Sequence, residues 1–363
     1  MLHGGDIYSN EVDMDFSVSL NPTVLNDKER ELIETAIERG IKEACNYPDP
    51  AQADVRRYIA DQEGVRSENI LAGAGASQLI MAVTQMVRPK RALIIEPGYS
   101  GYLHAISSVP GCEVIRYVTK EEEDFYPDER ILEYITDDID ILYLQDPINP
   151  TGRNLDNTLF SKILDKVAMC YITVLYDMSF FKLSDKYEAV GQRGRTGPSC
   201  RPSELIGKYE KLFITGSYTK DLGLPGIRMG YVMSTGDNIS KLKCFLPEWN
   251  LSSPSSSVMR ACAHIESKGD YLQRSAAFIR GEREFLVRSL ADMGFKVLCS
   301  DTVFIMFGDV HGYDLYDALL KRRILIRKFD DTPPGENYYR IGIKGHEENA
   351  LLIKAIGEII NGI

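Results

Sequence analysis

The sequence contains no run of about 18 uncharged apolar residues, so nothing in it reads as a membrane-crossing helix. Its seven cysteines (45, 112, 170, 200, 244, 262 and 299) are scattered without a CxxC pair, and its five histidines show no HExxH spacing. An odd, dispersed set of thiols reads as reduced and cytosolic, and metal chemistry is not expected. Met1-Leu2-His3-Gly4-Gly5-Asp6 lacks the basic stretch followed by an apolar one that marks a signal peptide, so the expected location is the cytoplasm. Positive charge is in deficit: 42 Lys and Arg against 53 Asp and Glu give a formal net charge of -11. That balance argues against a nucleic-acid or anionic-membrane surface. There is no internal repeat and no low-complexity tract.

What is present is an ordinary globular composition, 44% apolar and 26% charged, in 363 residues, enough for two lobes. Asn26 is placed to cap a helix over 26–45, with Leu32, Ile33, Ala36, Ile37 and Ile41 at helical spacing. A second helix is expected over 51–63, ending near Gly64. Apolar strands are expected at 70–73, 92–95, 114–118, 139–144, 172–176 and 212–215, separated by helical stretches. That alternation predicts an α/β fold with a mostly parallel sheet covered by helices on both faces, three layers in all. A long helical stretch over about 255–293 leads to a smaller α/β lobe with strands at 297–298, 303–307, 324–326 and 338–343 and a closing helix at 346–361. Residues 192–203, rich in Gly, Arg and Pro, read as a surface loop.

In such sheets ligands bind at the carboxyl ends of the strands. After the run Leu212-Phe213-Ile214 comes Ser217-Tyr218-Thr219-Lys220, and Arg228 follows eight positions after the lysine (228 − 220 = 8). A strand-end lysine can form a Schiff base with a carbonyl if its amine pKa is lowered, and nearby cationic charge pushes it that way. The hydroxyls of Ser217 and Thr219, with the Arg228 guanidinium, suit a phosphate dianion. An aldehyde-seeking lysine beside a phosphate clamp describes pyridoxal 5'-phosphate.

Other strand ends extend the constellation. Gly73-Ala74-Gly75-Ala76-Ser77 opens a helix whose free N–H groups, with the Ser77 hydroxyl, make an anion site. Tyr99 offers a ring face for stacking on a pyridine. Asn149, in Asp146-Pro147-Ile148-Asn149-Pro150-Thr151-Gly152, could donate to a ring oxygen. Asp177 could pair with a pyridinium nitrogen and keep the ring an electron sink. Taken alone, the glycine-rich turn, Tyr99 and Asp177 are more often a plain turn, packing and a helix cap, and Asn149 also reads as a turn. Their order along one chain is the specific signal.

With these residues in place the sequence resembles the fold-type I pyridoxal-phosphate enzymes, the aspartate-aminotransferase-like superfamily, over nearly its whole length. The resemblance implies Lys220 as the Schiff-base lysine, Asp177 on the pyridine nitrogen, Asn149 on the ring oxygen and Tyr99 over the ring. Ala76, Ser77, Ser217, Thr219 and Arg228 would hold the phosphate. Tyr47, in Asn46-Tyr47-Pro48, would reach the neighbouring subunit's cofactor, which implies a homodimer. Residues 1–25 would pack near the active site, 26–250 would form the large cofactor-binding domain and 251–363 the small one.

Two branches of the superfamily compete. One comprises the threonine-phosphate decarboxylases, with serine-phosphate decarboxylases close by; the other comprises the histidinol-phosphate aminotransferases. Three features look like the decarboxylases. His3-Gly4-Gly5 resembles their N-terminal segment, Phe180 stands where aminotransferases usually carry a tyrosine, and Arg327 precedes Arg340 by thirteen (340 − 327 = 13). His3, Ser19, Asn21, Arg327 and Arg340 are therefore the expected substrate residues, for a small phosphorylated amino acid. Departures surround the substrate: Asp177-Met178-Ser179 replaces the usual Asp-Glu-Ala, Ala74 replaces an asparagine, Ser19 stands where the decarboxylases tend to have asparagine, and Thr23-Val24 replaces Leu-Gly. In such enzymes the Cα bond held perpendicular to the ring is the one that breaks. If the phosphate contacts turn the carboxylate out of plane, CO2 leaves; if the Cα–H bond takes that position, Lys220 removes the proton and an amino group is exchanged. The expectation is decarboxylation of L-threonine or L-serine O-phosphate, with amino transfer as the alternative.

Overall fold

A computed structural model describes residues 4–187, 202–329, 334–335 and 337–362; His3 and residues 192–201 of the loop lie outside the described residues. In the N-terminal segment β1 is only Met14–Asp15. The central sheet comprises β2 (Ile70–Gly73), β3 (Arg91–Glu96), β4 (Glu113–Val118), β5 (Ile141–Gln145), β6 (Thr173–Asp177), β7 (Leu212–Gly216) and β8 (Gly230–Met233). Its strand order is β2-β8-β7-β6-β5-β3-β4, parallel except for β8, which runs antiparallel to both neighbours. All six expected strands are present. β8 was not anticipated, because four residues opening on Gly230 after Met229 read as the tail of a turn.

Alternation sends successive side chains to opposite faces. From β2 and β3, Ile70, Ala72, Leu93 and Ile95 join one core, while Leu71, Ala92 and Ile94 join the other. The first face is covered by α1 (Asp27–Glu43) and α2 (Ala53–Glu63), the second by α3 (Ala76–Val87) and α4 (Gly101–Ser107). The first core also takes in α5 (Asn157–Met169) and α6 (Ser253–Lys268). Asn26 caps α1 as expected, accepting from Glu29 N at 3.0 Å while Glu29 Oε2 accepts from Asn26 N at 2.8 Å. Leu32 and Ile41, expected on the buried face, are exposed. The buried face instead runs Glu29, Ile33, Ala36, Gly40. At Gly40 a Cβ would lie 2.4 Å from Pro254 Cα, so the small residue sets how closely α1 meets α6.

The long helical stretch divides into α6 and α7 (Tyr271–Asp292), broken at Gly269. Beyond it β9 (Lys296–Val297), β10 (Phe304–Gly308), β11 (Ile324–Leu325), β12 (Arg327–Lys328) and β13 (Tyr338–Gly342) are followed by α8 (His346–Ile360). Four of these strands form an antiparallel sheet in the order β12-β13-β10-β9, while β11 pairs in parallel with β1. Phe16, next to β1, is wholly buried in the core of this smaller sheet. The N-terminal segment therefore crosses between the two sheets, over the carboxyl ends of the central strands. Among the described residues no helix is long and apolar enough to cross a membrane.

Candidate active site

Those strand ends open onto a cavity of about 510 Å³. Lys220 sits in a single helical turn, Tyr218–Asp221, directly after β7. Its amine is brought down to about 8, first by burial, then by the Arg340 and Arg228 charges, against the opposing pull of Asp177. The Phe180 ring lies under it, with the centroid 5.4 Å from Nζ.

Asp177 ends β6 and accepts four hydrogen bonds. Oδ1 takes them from Ser179 N at 3.0 Å, Ser179 Oγ at 2.6 Å and Thr215 Oγ1 at 3.2 Å; Oδ2 takes one from Tyr102 OH at 2.9 Å. Tyr102, Ser179 and Thr215 were missed from the sequence. Tyr102 did leave a signal: it stands three residues after Tyr99, in the first turn of α4, the helix that Tyr99 leads into. The two meet edge to face, with centroids 5.3 Å apart. Burial and then Asp177 push the Tyr99 phenol up, while Arg228 opposes, so the ring feels both ends of the cavity.

Asn149 follows β5 on a turn tied down by Asp146. That buried carboxylate accepts from Lys186 Nζ at 2.7 Å, Tyr176 OH at 2.9 Å, Asn154 Nδ2 at 2.7 Å and Leu155 N at 3.1 Å. Asn149 Oδ1 accepts from Arg340 Nη1 at 2.5 Å, which leaves the amide Nδ2 as the donor for a ligand. Arg340 also donates from Nη2 to Ser17 O at 2.9 Å, and its Nε is buried without a partner. Burial, then the Arg327 charge, lowers Arg340 to about 10.

At the opposite end Arg228 Nη2 donates to Ser77 Oγ at 3.4 Å, beside the start of α3. Gly75 adopts φ +84°, and a Cβ there would fall 2.6 Å from Arg228 Nη2. The hydroxyls of Ser217 and Thr219, expected on an anion, donate to Met229 O at 3.2 Å and 3.0 Å. The donors facing the cavity at this end are the guanidinium, the Ser77 hydroxyl and the first N–H groups of α3.

Of the residues singled out from the sequence, Ala76, Ser77, Tyr99, Asn149, Asp177, Ser217, Thr219, Lys220 and Arg228 all line this cavity, as do Ser19, Arg327 and Arg340. Two stand apart. Asn21 does not line it: its Nδ2 donates to Asp221 O at 2.8 Å, Tyr271 OH at 3.1 Å and Ser275 Oγ at 2.8 Å, so its amide serves packing. Tyr47 lies on the surface, 79% exposed and stacked on Trp249 at 4.5 Å between centroids.

An amine near 8, a carboxylate beyond an aromatic face and a basic helix start at the far end define a pyridoxal 5'-phosphate enzyme of fold type I. The sequence model of the family described as aminotransferase class I and II matches residues 13–356, and the chain belongs to that family. The chain is 26% identical over 386 aligned residues to a threonine-phosphate decarboxylase of Salmonella typhimurium, covering 99% of this chain and 97% of that protein. It is 28% identical over 323 to a histidinol-phosphate aminotransferase of Christiangramia forsetii, covering 87% and 85%. It is also 29% identical to the adenosylcobalamin biosynthesis bifunctional protein CobDQ of Leptospira interrogans, over 96% of this chain but only 39% of that longer protein. Among solved structures, histidinol-phosphate aminotransferase from Clostridium acetobutylicum superimposes with a TM-score of 0.83 at 24% identity, over 96% of this chain and 100% of that one.

The residues present fit the cofactor on this structure's own terms. The amine is poised to add to an aldehyde, the Arg228 end can take a phosphate, and Arg340 keeps an unpartnered buried N–H beside Asn149.

Proposed function

We propose that the protein decarboxylates a small O-phosphorylated amino acid, L-threonine or L-serine O-phosphate, to the corresponding amino-alcohol phosphate. The observation that carries this reading is the cross-strand pairing of Arg327 on β12 with Arg340 on β13, both lining the cavity. Like charges placed directly opposite each other repel. A substrate with a carboxylate and a phosphate brings negative charge to both, and bidentate contacts from two guanidiniums would fix its orientation.

Bound beside Lys220, the cofactor supplies an aldehyde for the substrate amine and a ring that accepts the electron pair released at Cα. Lys220 Nζ would hold the proton returned to Cα after CO2 departs, and Asp177 would hold the ring nitrogen. Asn149 Nδ2 would donate to the ring oxygen, Tyr99 would cover the ring, and Ala76, Ser77 and Arg228 would hold the phosphate, with Ser217 and Thr219 close by. Phe180 brings no hydroxyl to the amine, so Lys220 answers to its burial first and then to the charges around it. Ser19 Oγ, buried on the cavity wall without a partner, is available to the substrate; His3, outside the described residues, keeps the substrate role that the resemblance implies for it. The active unit is a homodimer in which Tyr47 reaches the neighbouring cofactor.

The test is to incubate the purified, cofactor-loaded protein with O-phospho-L-threonine and O-phospho-L-serine and follow CO2. Release of CO2 from either is the expected result. No CO2 from either, with amino transfer from glutamate to a phosphorylated ketone, would establish the aminotransferase reading instead.

A further inference from the structure

Behind Lys220, on the side away from the cavity, lies a buried charge cluster that none of the chemistry above uses. Lys182, in the turn that follows β6, places its ammonium 2.7 Å from Glu266 Oε2 on α6 and 3.0 Å from Glu63 Oε1 on α2. Gln62 donates to the same Glu266 oxygen and accepts from Tyr218 OH. Tyr231 OH donates to Glu63 Oε1 at 2.6 Å. Asp221, 2% exposed, is the third acid of the cluster, and the Glu266 charge acts on it.

The charges do not balance as carboxylates. Three acids, Glu63, Glu266 and Asp221, face one ammonium. Lys182 pairs with the first two, so Asp221 is the acid left without a cation beside it among the ion pairs of the cluster. Glu266 Oε1 is buried without a hydrogen-bond partner. A proton on Asp221 supplies an O–H donor for the orphaned oxygen. Glu266 already receives Lys182 and Gln62, so the negative charge belongs there and the proton on its neighbour. Burial and the Glu266 charge push Asp221 well above the usual carboxylate range, with Lys182 opposing. The other groups facing it, the Tyr187 and Tyr271 phenols and the Cys262 thiol, are themselves pushed up by burial and stay neutral.

We propose that Asp221 and Glu266 share one proton in the folded protein, carried on Asp221, and that this acid pair positions the turn that bears Lys220. Adjacent residues of a helical turn leave on different sides, so Lys220 enters the cavity while Asp221 enters the cluster. Tyr218, in the same turn, and Lys182, five residues beyond Asp177 (182 − 177 = 5), join the same network. One buried device therefore ties the lysine turn and the segment after Asp177 to α2 and α6. What the turn is positioned to do rests on the reading of Lys220 given above; the shared proton does not.

A protonated buried acid ionises readily once the chain unfolds, so above the ordinary carboxylate range the folded state binds the extra proton and stability falls as pH rises. The test melts the cofactor-loaded protein from about pH 5 to about pH 9, the window in which such linkage is read. Asp221→Asn keeps a donor toward Glu266 and has no proton to lose, and Glu266→Gln supplies an amide that donates to an ionised Asp221. Both are expected to reduce the fall in melting temperature to half that of the unmodified protein or less. Undiminished slopes in both variants would overturn the shared proton. For positioning, the readout is the pH midpoint of the visible absorbance of the lysine-bound cofactor: Asp221→Leu is expected to shift it and Asp221→Asn to restore it. A midpoint unmoved in a folded Asp221→Leu protein would overturn that half; if the leucine variant does not fold, an altered midpoint in Asp221→Asn overturns it. Melting needs no chromophore, so a protein that takes up no cofactor would refute the functional reading while leaving the slope measurable.

Discussion

Arg327 and Arg340 stand directly opposite each other across the β12–β13 pair, and Arg340 in turn holds the Asn149 side chain at 2.5 Å. One guanidinium therefore both faces a like charge and orients an amide expected at the cofactor ring. Replacing the outer one separates the two tasks. In Arg327→Gln the substrate anion loses a charged contact worth about 1.5–3 kcal/mol, roughly a 10–150-fold rise in KM for a phosphorylated amino acid. Folding stability is expected to change by no more than about 1 kcal/mol, the scale of a cross-strand charge pair. Steady-state kinetics and a denaturant melt check both halves, and an unchanged KM removes Arg327 from the substrate site.

Lys220 carries a stability signature that can be read without any substrate. Its folded value of about 8 lies below the ordinary lysine value of 10.5. Below both values the amine is protonated folded and unfolded, and the fold bears the whole cost of burying it. Between about 8 and about 10.5 the unfolded chain holds the proton more tightly, so stability rises with pH. Lys220→Met removes the charge. Its cofactor-free form is expected to be more stable than the unmodified protein by on the order of 1–3 kcal/mol near neutral pH, with the rise above about pH 8 abolished. Urea melts at several pH values test this. A less stable methionine variant at neutral pH would mean the amine is better solvated than its surroundings indicate.

That Lys220, Asp177, Asn149 and the Gly75–Ser77 turn would share one cavity was legible in the sequence because each follows an apolar strand, and strand ends converge in a parallel sheet. Residues that act across the fold were not. Nothing along the chain says that Lys182 meets Glu63 and Glu266, which are 119 and 84 positions away (182 − 63 and 266 − 182). Nor does a four-residue strand such as β8 outweigh the glycine that opens it. Asn21 shows the opposite error. A motif position suggested a substrate contact, and tertiary packing gave its amide to Asp221, Tyr271 and Ser275 instead.

The donors on Asp177 are open to direct test. Tyr102→Phe removes the only donor given to Oδ2 among the contacts described, and keeps the ring packed against Tyr143 at 5.1 Å between centroids. The cofactor-free protein is expected to lose about 1–3 kcal/mol, the cost of a missing bond to a charged acceptor. Ser179→Ala loses less, because the Ser179 backbone N–H still reaches Oδ1 at 3.0 Å. If these donors aim the carboxylate, the cofactor dissociation constant rises in the same order, by roughly tenfold for each 1.4 kcal/mol lost. Equal effects of the two substitutions on affinity would show that Oδ2 has no separate role.

Gly75 tests the anion end. Its φ of +84° lies where a side chain is disfavoured, and an added methyl would lie 2.6 Å from Arg228 Nη2 and 3.2 Å from its Cζ. Gly75→Ala therefore strains the turn into α3 by about 1–2 kcal/mol and pushes the guanidinium off Ser77. The strain alone predicts a lower melting temperature with cofactor affinity intact; displacement of Arg228 predicts weaker affinity as well. Arg228→Lys separates the two, since it keeps the charge, relieves the contact and removes the fork that matches a phosphate. The expected pattern is weakened cofactor binding in both variants, with a lowered melting temperature of the cofactor-free protein only in Gly75→Ala. Full affinity in Arg228→Lys would place the phosphate on Ser77 and the α3 amides alone.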